Sequence, residues 1–178
     1  VDAPTNKPGE FRVTVVSTFA GDEPLEVVLE AARRLPDVHF FITGDIRLAR
    51  KGLLGSAPAN VSFVGYLKGE AYWKQLTSSH AVMTLTTNPY SLVSGGSEGM
   101  FLGKALLLSR QPALLEYFTR GAVFIDHTPE SIVAGVLEAK SRREELERES
   151  SELLREKSSI WQQNFQVLKS TLGVSFES

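Results

Sequence analysis

Three consecutive stretches decide the fold. They are His80-Ala81-Val82-Met83-Thr84-Leu85-Thr86, then Ser94-Gly95-Gly96-Ser97-Glu98-Gly99, then Met100-Phe101-Leu102-Gly103-Lys104-Ala105-Leu106-Leu107-Leu108. An apolar strand, a turn with almost no bulk, a short helix and a second apolar strand is the simplest reading of that order. Glycines let the backbone approach a ligand closely, and the N–H groups and dipole of a helix start favour negative charge. Glu98, in the first turn, is placed to accept hydrogen bonds from sugar hydroxyls. A plain strand-to-helix turn, with Ser97 as N-cap and Glu98 favouring the dipole, fits the same residues.

Outward from this segment, strands and helices alternate. Phe11-Arg12-Val13-Thr14-Val15-Val16-Ser17 is a β-branched run, and Pro24 opens a helix whose apolar residues keep helical spacing to Leu35. Val38 to Thr43 reads as the second strand, closed by Gly44-Asp45, with a helical or irregular segment from Ile46 to Leu54. Asn60 to Gly65 reads as the third strand and Glu70 to Ser78 as a helix. After the fourth and fifth strands come a helix over Ala113 to Thr119, a sixth strand over Ala122 to Asp126, and a long helical stretch from Pro129. Near-continuous apolar strands separated by helices imply a mainly parallel sheet covered on both faces, a doubly wound α/β fold. With strand order 3-2-1-4-5-6, the topological switch lies between strands one and four, and a ligand sits over their carboxyl ends. Those ends are Ser17 to Glu23 and Thr87 to Glu98.

At 178 residues, 42% hydrophobic and 22% charged, the chain is long enough for one ordinary α/β domain with a proper core. A formal charge of −2 argues against binding nucleic acid by phosphate neutralisation. With no cysteine there is no disulfide framework and no thiolate zinc site, so a cytoplasmic location is the expectation. The apolar runs are too short to span a bilayer and no signal peptide is present. Residues 1–10 read as a linker, and the chain as a piece of a longer protein whose N-terminal domain precedes it.

The residues exclude several chemistries. His39, His80 and His127 lie beside or inside strand candidates, with no His-Glu-x-x-His and no carboxylate cluster at ligand spacing, so no metal is expected. No Gly-x-Ser-x-Gly elbow, no P-loop and no Gly-x-Gly-x-x-Gly follows the first strand. From Lys140 to Lys157 opposite charges recur at helical spacing, such as Glu138 with Arg142 and Glu144 with Arg148, as on a solvated helix. Ile160, Trp161, Phe165 and Leu168 then form an apolar stripe. Residues 141–178 therefore read as a helical extension docking on this domain or on the missing one.

Over residues 11–139 the chain resembles the C-terminal, donor-binding half of a retaining glycosyltransferase of the GT-B class, which is Rossmann-like. Asn60-Val61-Ser62-Phe63-Val64-Gly65-Tyr66-Leu67 is similar to that family's strand ending in Gly-x-Leu. Ser97-Glu98-Gly99-Met100-Phe101-Leu102-Gly103-Lys104-Ala105-Leu106-Leu107-Leu108-Ser109 is similar to its Glu-Ala-x-x-x-Gly-Lys-Pro-x-apolar-x-Ser segment. The resemblance implies that Gly65, Tyr66 and Leu67 meet the nucleotide base, that Glu98 takes the ribose, and that Gly95, Gly96 and Ser97 face the diphosphate and sugar. Ser17, Thr18, Gly44 and Lys104 complete the expected ligand-binding set, and no catalytic residue is assigned. It further implies transfer of a sugar from a nucleotide-diphosphate sugar, the donor substrate, to an acceptor hydroxyl with retention, no cofactor, and an acceptor site on the missing N-terminal domain.

The departures are specific. Tyr90 stands where the family carries a second glutamate, and Thr18 and Glu23 stand where it places an Arg and a Lys on the diphosphate. Two lost charge-assisted contacts are worth roughly 1.5–3 kcal/mol each, unless Arg47, Lys68, Lys104 or Arg110 substitutes. They leave open a degenerate domain used for protein contacts, or half of a nucleotide-sugar epimerase.

Overall fold

The computed structural model describes residues 10–172, so the linker reading of residues 1–10 falls almost wholly outside the described residues. Six strands form one sheet: β1 (Phe11–Val15), β2 (Val38–Thr43), β3 (Val61–Gly65), β4 (Ala81–Thr84), β5 (Ala105–Ser109) and β6 (Ala122–Ile125). Every neighbouring pair is parallel, and the order is β3-β2-β1-β4-β5-β6. The helices are α1 (Leu25–Arg33), α2 (Gly69–Ser78), α3 (Ser94–Phe101), α4 (Pro112–Tyr117), α5 (Pro129–Ser141) and α6 (Arg143–Leu172). The ambiguous stretch after β2 is two short 3-10 turns, Ile46–Leu48 and Leu54–Ser56.

The strands read as continuous apolar runs because both faces are covered. In β4, Met83 joins a cluster with Leu29 of α1, Phe40 of β2 and Ile132 of α5, whereas its neighbour Val82 joins Met100 of α3, Leu114 and Phe118 on the other face. Successive residues of one strand thus feed two layers. Local chemistry sets the ends. Thr128 caps α5, its hydroxyl accepting from Ser131 N at 3.2 Å, and Pro129 occupies the first turn. Pro24 is the N-cap of α1, one place earlier than its expected first-turn position. Asn60 Nδ2 lies 2.9, 2.9 and 2.8 Å from the carbonyls of Ala32, Leu35 and Val38, and so fastens the end of α1 to the start of β2.

The long α6 docks through its first half only. Leu146, Ser150 and Leu153 are buried, whereas Ile160, Trp161 and Leu168 are exposed. The apolar stripe therefore does not pack on this domain's core; Trp161 stacks on Phe165 at 5.0 Å. Arg142 pairs with Glu138 as its spacing predicts, but Arg148 reaches Glu152, at 4.0 Å, rather than Glu144. Among the described residues no helix is long and apolar enough to cross a membrane.

The glycines of α3 set how closely it lies on the sheet. A Cβ on Gly95 would fall 2.6 Å from Thr84 Oγ1 and 2.7 Å from Val16 Cβ; one on Gly99 would fall 2.7 Å from Leu106 Cδ2. Gly96 faces Phe118 and Leu108. Alanine favours a helix over glycine by about 1 kcal/mol, but overpacking a rigid contact costs about 1–3 kcal/mol. Gly95→Ala, with two contacts under 2.8 Å, is therefore expected to destabilise the fold by up to about 2 kcal/mol in chemical denaturation, while Gly21→Ala, with nothing within 4 Å of the added carbon, should change little.

One histidine makes stability depend on pH. His80 Nδ1 accepts from Arg12 N at 3.0 Å, and its ring stacks on Phe11. Burial above all, then Arg143, Arg12 and Lys104, pushes its pKa down. The unfolded chain thus binds this proton more readily, so stability is complete above the ordinary histidine value of about 6.5 and is lost as pH falls toward the lowered native value. Denaturation midpoints across that window should show the decline. His80→Asn, whose Oδ1 can take the Arg12 N–H, should flatten it; an unchanged slope would assign the decline to other groups.

Candidate functional site

β1 and β4 are neighbours whose connections leave in opposite directions, so their carboxyl ends open a crevice. Two adjoining cavities occupy it, of about 390 and 260 Å³, sharing Val16, Ser17, Thr18 and Ser94 as walls. The larger lies over β1, β2 and β3, and its wall includes Gly44, Asp45, Leu48, Tyr66, Leu67, Tyr72 and Glu98. The smaller lies between the β1–α1 loop and the start of α3, with Asp22, Glu23, Thr84 and Thr86 in its wall.

The helix geometry explains which residues of α3 reach the crevice. Ser94 and Glu98, four residues apart, share one face and line the larger cavity. Gly95 and Gly99 lie on the sheet side. The helix begins at Ser94, with Val93 as N-cap and no side-chain hydrogen bond capping it. Ser97 is thus an interior residue rather than the cap, and Glu98 lies one turn in. Gly96 is buried against Phe118, away from both cavities, and Ser97 lines neither of them. The glycines of this segment serve helix-to-sheet contact first; of the three, only Gly95 also lines a cavity, the smaller one.

The ends of β2 and β3 complete the larger cavity. Gly44 has φ +118°, and a Cβ there would fall 2.6 Å from Ser17 O, so this crossing of the β1 loop requires glycine. Gly44 N donates to Gly65 O at 3.0 Å, holding the two strand ends together, and Tyr66 and Leu67 follow at the rim. Tyr72 donates its phenol proton to Glu98 Oε2. Burial, then that hydrogen bond, raises the Tyr72 pKa, so it remains a donor and fixes the carboxylate in place. Thr84 Oγ1, beside Gly95, is buried without a hydrogen-bond partner.

The four cations considered as diphosphate partners are not in the cavity walls. Arg47 holds Asp45 at 2.6 Å, and its hydrogen bonds draw the Asp45 carboxyl down to about 2. Lys68 stands 5.2 Å from the centre of the Tyr66 ring. Arg110 reaches Asp126 at 3.5 Å and donates to Phe124 O. Lys104 is a correction to the expected ligand-binding set. It immediately precedes β5, at the amino ends of the parallel strands, and donates to Thr77 O at 2.7 Å. Parallel strands put position 104 at the edge opposite the crevice. Tyr90 is exposed and lines neither cavity.

Sequence reasoning missed Tyr72, Asp22 and Thr84. The Tyr72–Glu98 bond spans 26 positions and the Asp22–Thr86 bond 64, so nothing local signals either. Among the described residues no three His, Asp or Glu side chains gather where one metal ion could hold them.

No protein-family model and no curated protein matches this sequence. Solved structures do. HepE of Anabaena in complex with UDP and glucose superposes with TM-score 0.74 and 15% identity, over 93% of this chain and 49% of its own. A glycosyltransferase from Rickettsia africae gives TM-score 0.76 and 13% identity, over 95% of this chain and 50% of its own. Sucrose-phosphate synthase of Thermosynechococcus elongatus gives 0.72 and 14%, over 93% and 46%. The chain spans about half the length of these structures. At such identities the likeness is one of fold. This chain has the Rossmann-like fold of one half of a GT-B glycosyltransferase.

Proposed function

We propose that this chain is the donor-binding domain of a retaining glycosyltransferase, which moves a sugar from a nucleotide-diphosphate sugar to an acceptor hydroxyl. The observation that carries the proposal is the position of Glu98. It stands at the topological switch point, half-buried and one turn into α3, fixed by Tyr72 in a cavity of about 390 Å³ that Gly44, Tyr66 and Leu67 also line. A carboxylate so held accepts from paired hydroxyls, as a ribose offers, and the strand ends give a flat rim for a base. The structure of HepE was solved with UDP and glucose, which makes uracil the first base to try.

In this reading the domain's part in the reaction is positioning. It holds the donor while charge develops on the leaving diphosphate, and the acceptor approaches from a second domain across the cleft. The chain alone binds and does not catalyse. Calorimetric titration with uridine, guanosine and adenosine, their diphosphates and the matching nucleotide sugars tests this. At least one nucleoside series should bind, and Glu98→Ala should weaken it by about tenfold or more, the equivalent of one charge-assisted hydrogen bond. An intact fold that binds none of them would overturn the proposal.

The acidic walls favour one second reading, a domain that kept the fold and lost its donor, used for protein contacts. It predicts that Glu98→Ala in the whole protein leaves activity untouched.

A further inference from the structure

The loop that leaves β1 converges on a single negative charge, and that charge belongs to the chain itself. Ser17 Oγ donates to Glu23 Oε2 at 2.5 Å, Thr18 Oγ1 donates to Oε1 at 2.9 Å, and Thr18 N lies 2.9 and 3.1 Å from the two carboxylate oxygens. Phe19 N donates in turn to Ser17 Oγ at 3.0 Å, and Phe19 takes φ +60°, the one positive value outside glycine among the described residues. A backbone N–H and two hydroxyls aimed at one point are the usual means of holding a phosphate or carboxylate. Here they hold Glu23, in the wall of the smaller cavity.

The walls of the two cavities do not offset this charge, and Arg50, beside the loop, donates to Gly21 O at 3.0 Å and pairs with Glu26. Neither cavity has a Lys or Arg in its wall, whereas Asp22, Glu23, Asp45 and Glu98 all line one or the other. Asp22 is tied down by Thr86 Oγ1 at 2.5 Å. A ligand that brings two or three negative charges to this loop must displace the Glu23 carboxylate from its donors or sit beside it, and both are unfavourable. A neutral polyhydroxyl group meets no such opposition.

We propose that Glu23 is a specificity-determining residue: a tethered carboxylate seated where a ligand's anionic group would bind, which makes the crevice select the nucleoside part of a ligand against its diphosphate. This rests on the nucleotide-binding reading above and deepens it. The charge of a diphosphate must then be met by cations outside the two cavity walls.

The test is a calorimetric comparison of the full chain with its Glu23→Gln and Glu23→Ala variants, using a nucleoside and its diphosphate from the uridine, guanosine and adenosine pairs. Glu26→Gln serves as a control that removes the same charge from the helix surface, where Glu26 pairs with Arg50. Thermal unfolding verifies the fold of each variant, and Glu23→Gln keeps a side-chain acceptor for Thr18 N if the alanine variant fails to fold. Diphosphate affinity should rise by about tenfold or more in Glu23→Gln, with nucleoside affinity unchanged and Glu26→Gln like the parent. Equal diphosphate affinity in parent and Glu23→Gln overturns the role of Glu23 and leaves the nucleotide-binding reading standing. An equal rise in Glu26→Gln reduces it to net charge and also overturns it. Binding of neither nucleoside nor diphosphate by any folded variant overturns both.

Discussion

The close seating of α3 on the sheet is the contact on which the rest of this molecule depends. Gly95 and Gly99 present no side chain to Val16, Thr84, Val82 and Leu106, so the helix backbone packs directly on those side chains of the sheet. That approach brings the first turn of α3 level with the carboxyl ends of β1 and β4. Ser94 and Glu98, about 100° round the helix from those glycines, line the larger cavity. The same packing brings α3 against α6 and buries Phe118 and Leu108 beneath Gly96.

The electrostatics of the crevice follow from a different constraint. Four carboxylates line two adjoining cavities, and each of them has a partner that fixes it: Arg47 for Asp45, Tyr72 for Glu98, Thr86 for Asp22, and Ser17 with Thr18 for Glu23. Only Asp45 is balanced by a full positive charge. The crevice walls therefore offer fixed acceptors to hydroxyls and few partners to anions.

Much of the fold was legible in the sequence. Six apolar strands, each a few residues long and separated by helical spacing, admit few arrangements other than a parallel sheet with two covered faces, and the strand order is the one that places the switch between β1 and β4. The helix ends were legible where a local cue exists, as at Thr128-Pro129. The site was legible only in outline. Glu98, Gly44, Tyr66 and Leu67 line the expected crevice, whereas Lys104 lies at the other edge of the sheet and Gly96 is packing. A glycine needed for close packing and one needed for ligand approach look alike as letters. Lys104 stands at the amino end of β5 while the crevice opens at the carboxyl ends, and a motif match does not register at which end of a strand a residue falls.

The alternation of strands and helices, the two-faced burial of the sheet and the crevice at its switch point were readable from residue order, because periodicity and breaker residues act over a few positions of chain. Only the tertiary structure decided what fills the crevice wall. Tyr72 meets Glu98 across 26 positions and Asp22 meets Thr86 across 64, and such pairings exist only once the strands are in register. Glu23 is the instructive case. It is five or six residues from its partners, close enough to be visible in the sequence, yet it read there as a missing cation; the folded loop makes it the anion those donors hold, because residue type makes a carboxylate an acceptor but only the loop's geometry decides which donors it meets.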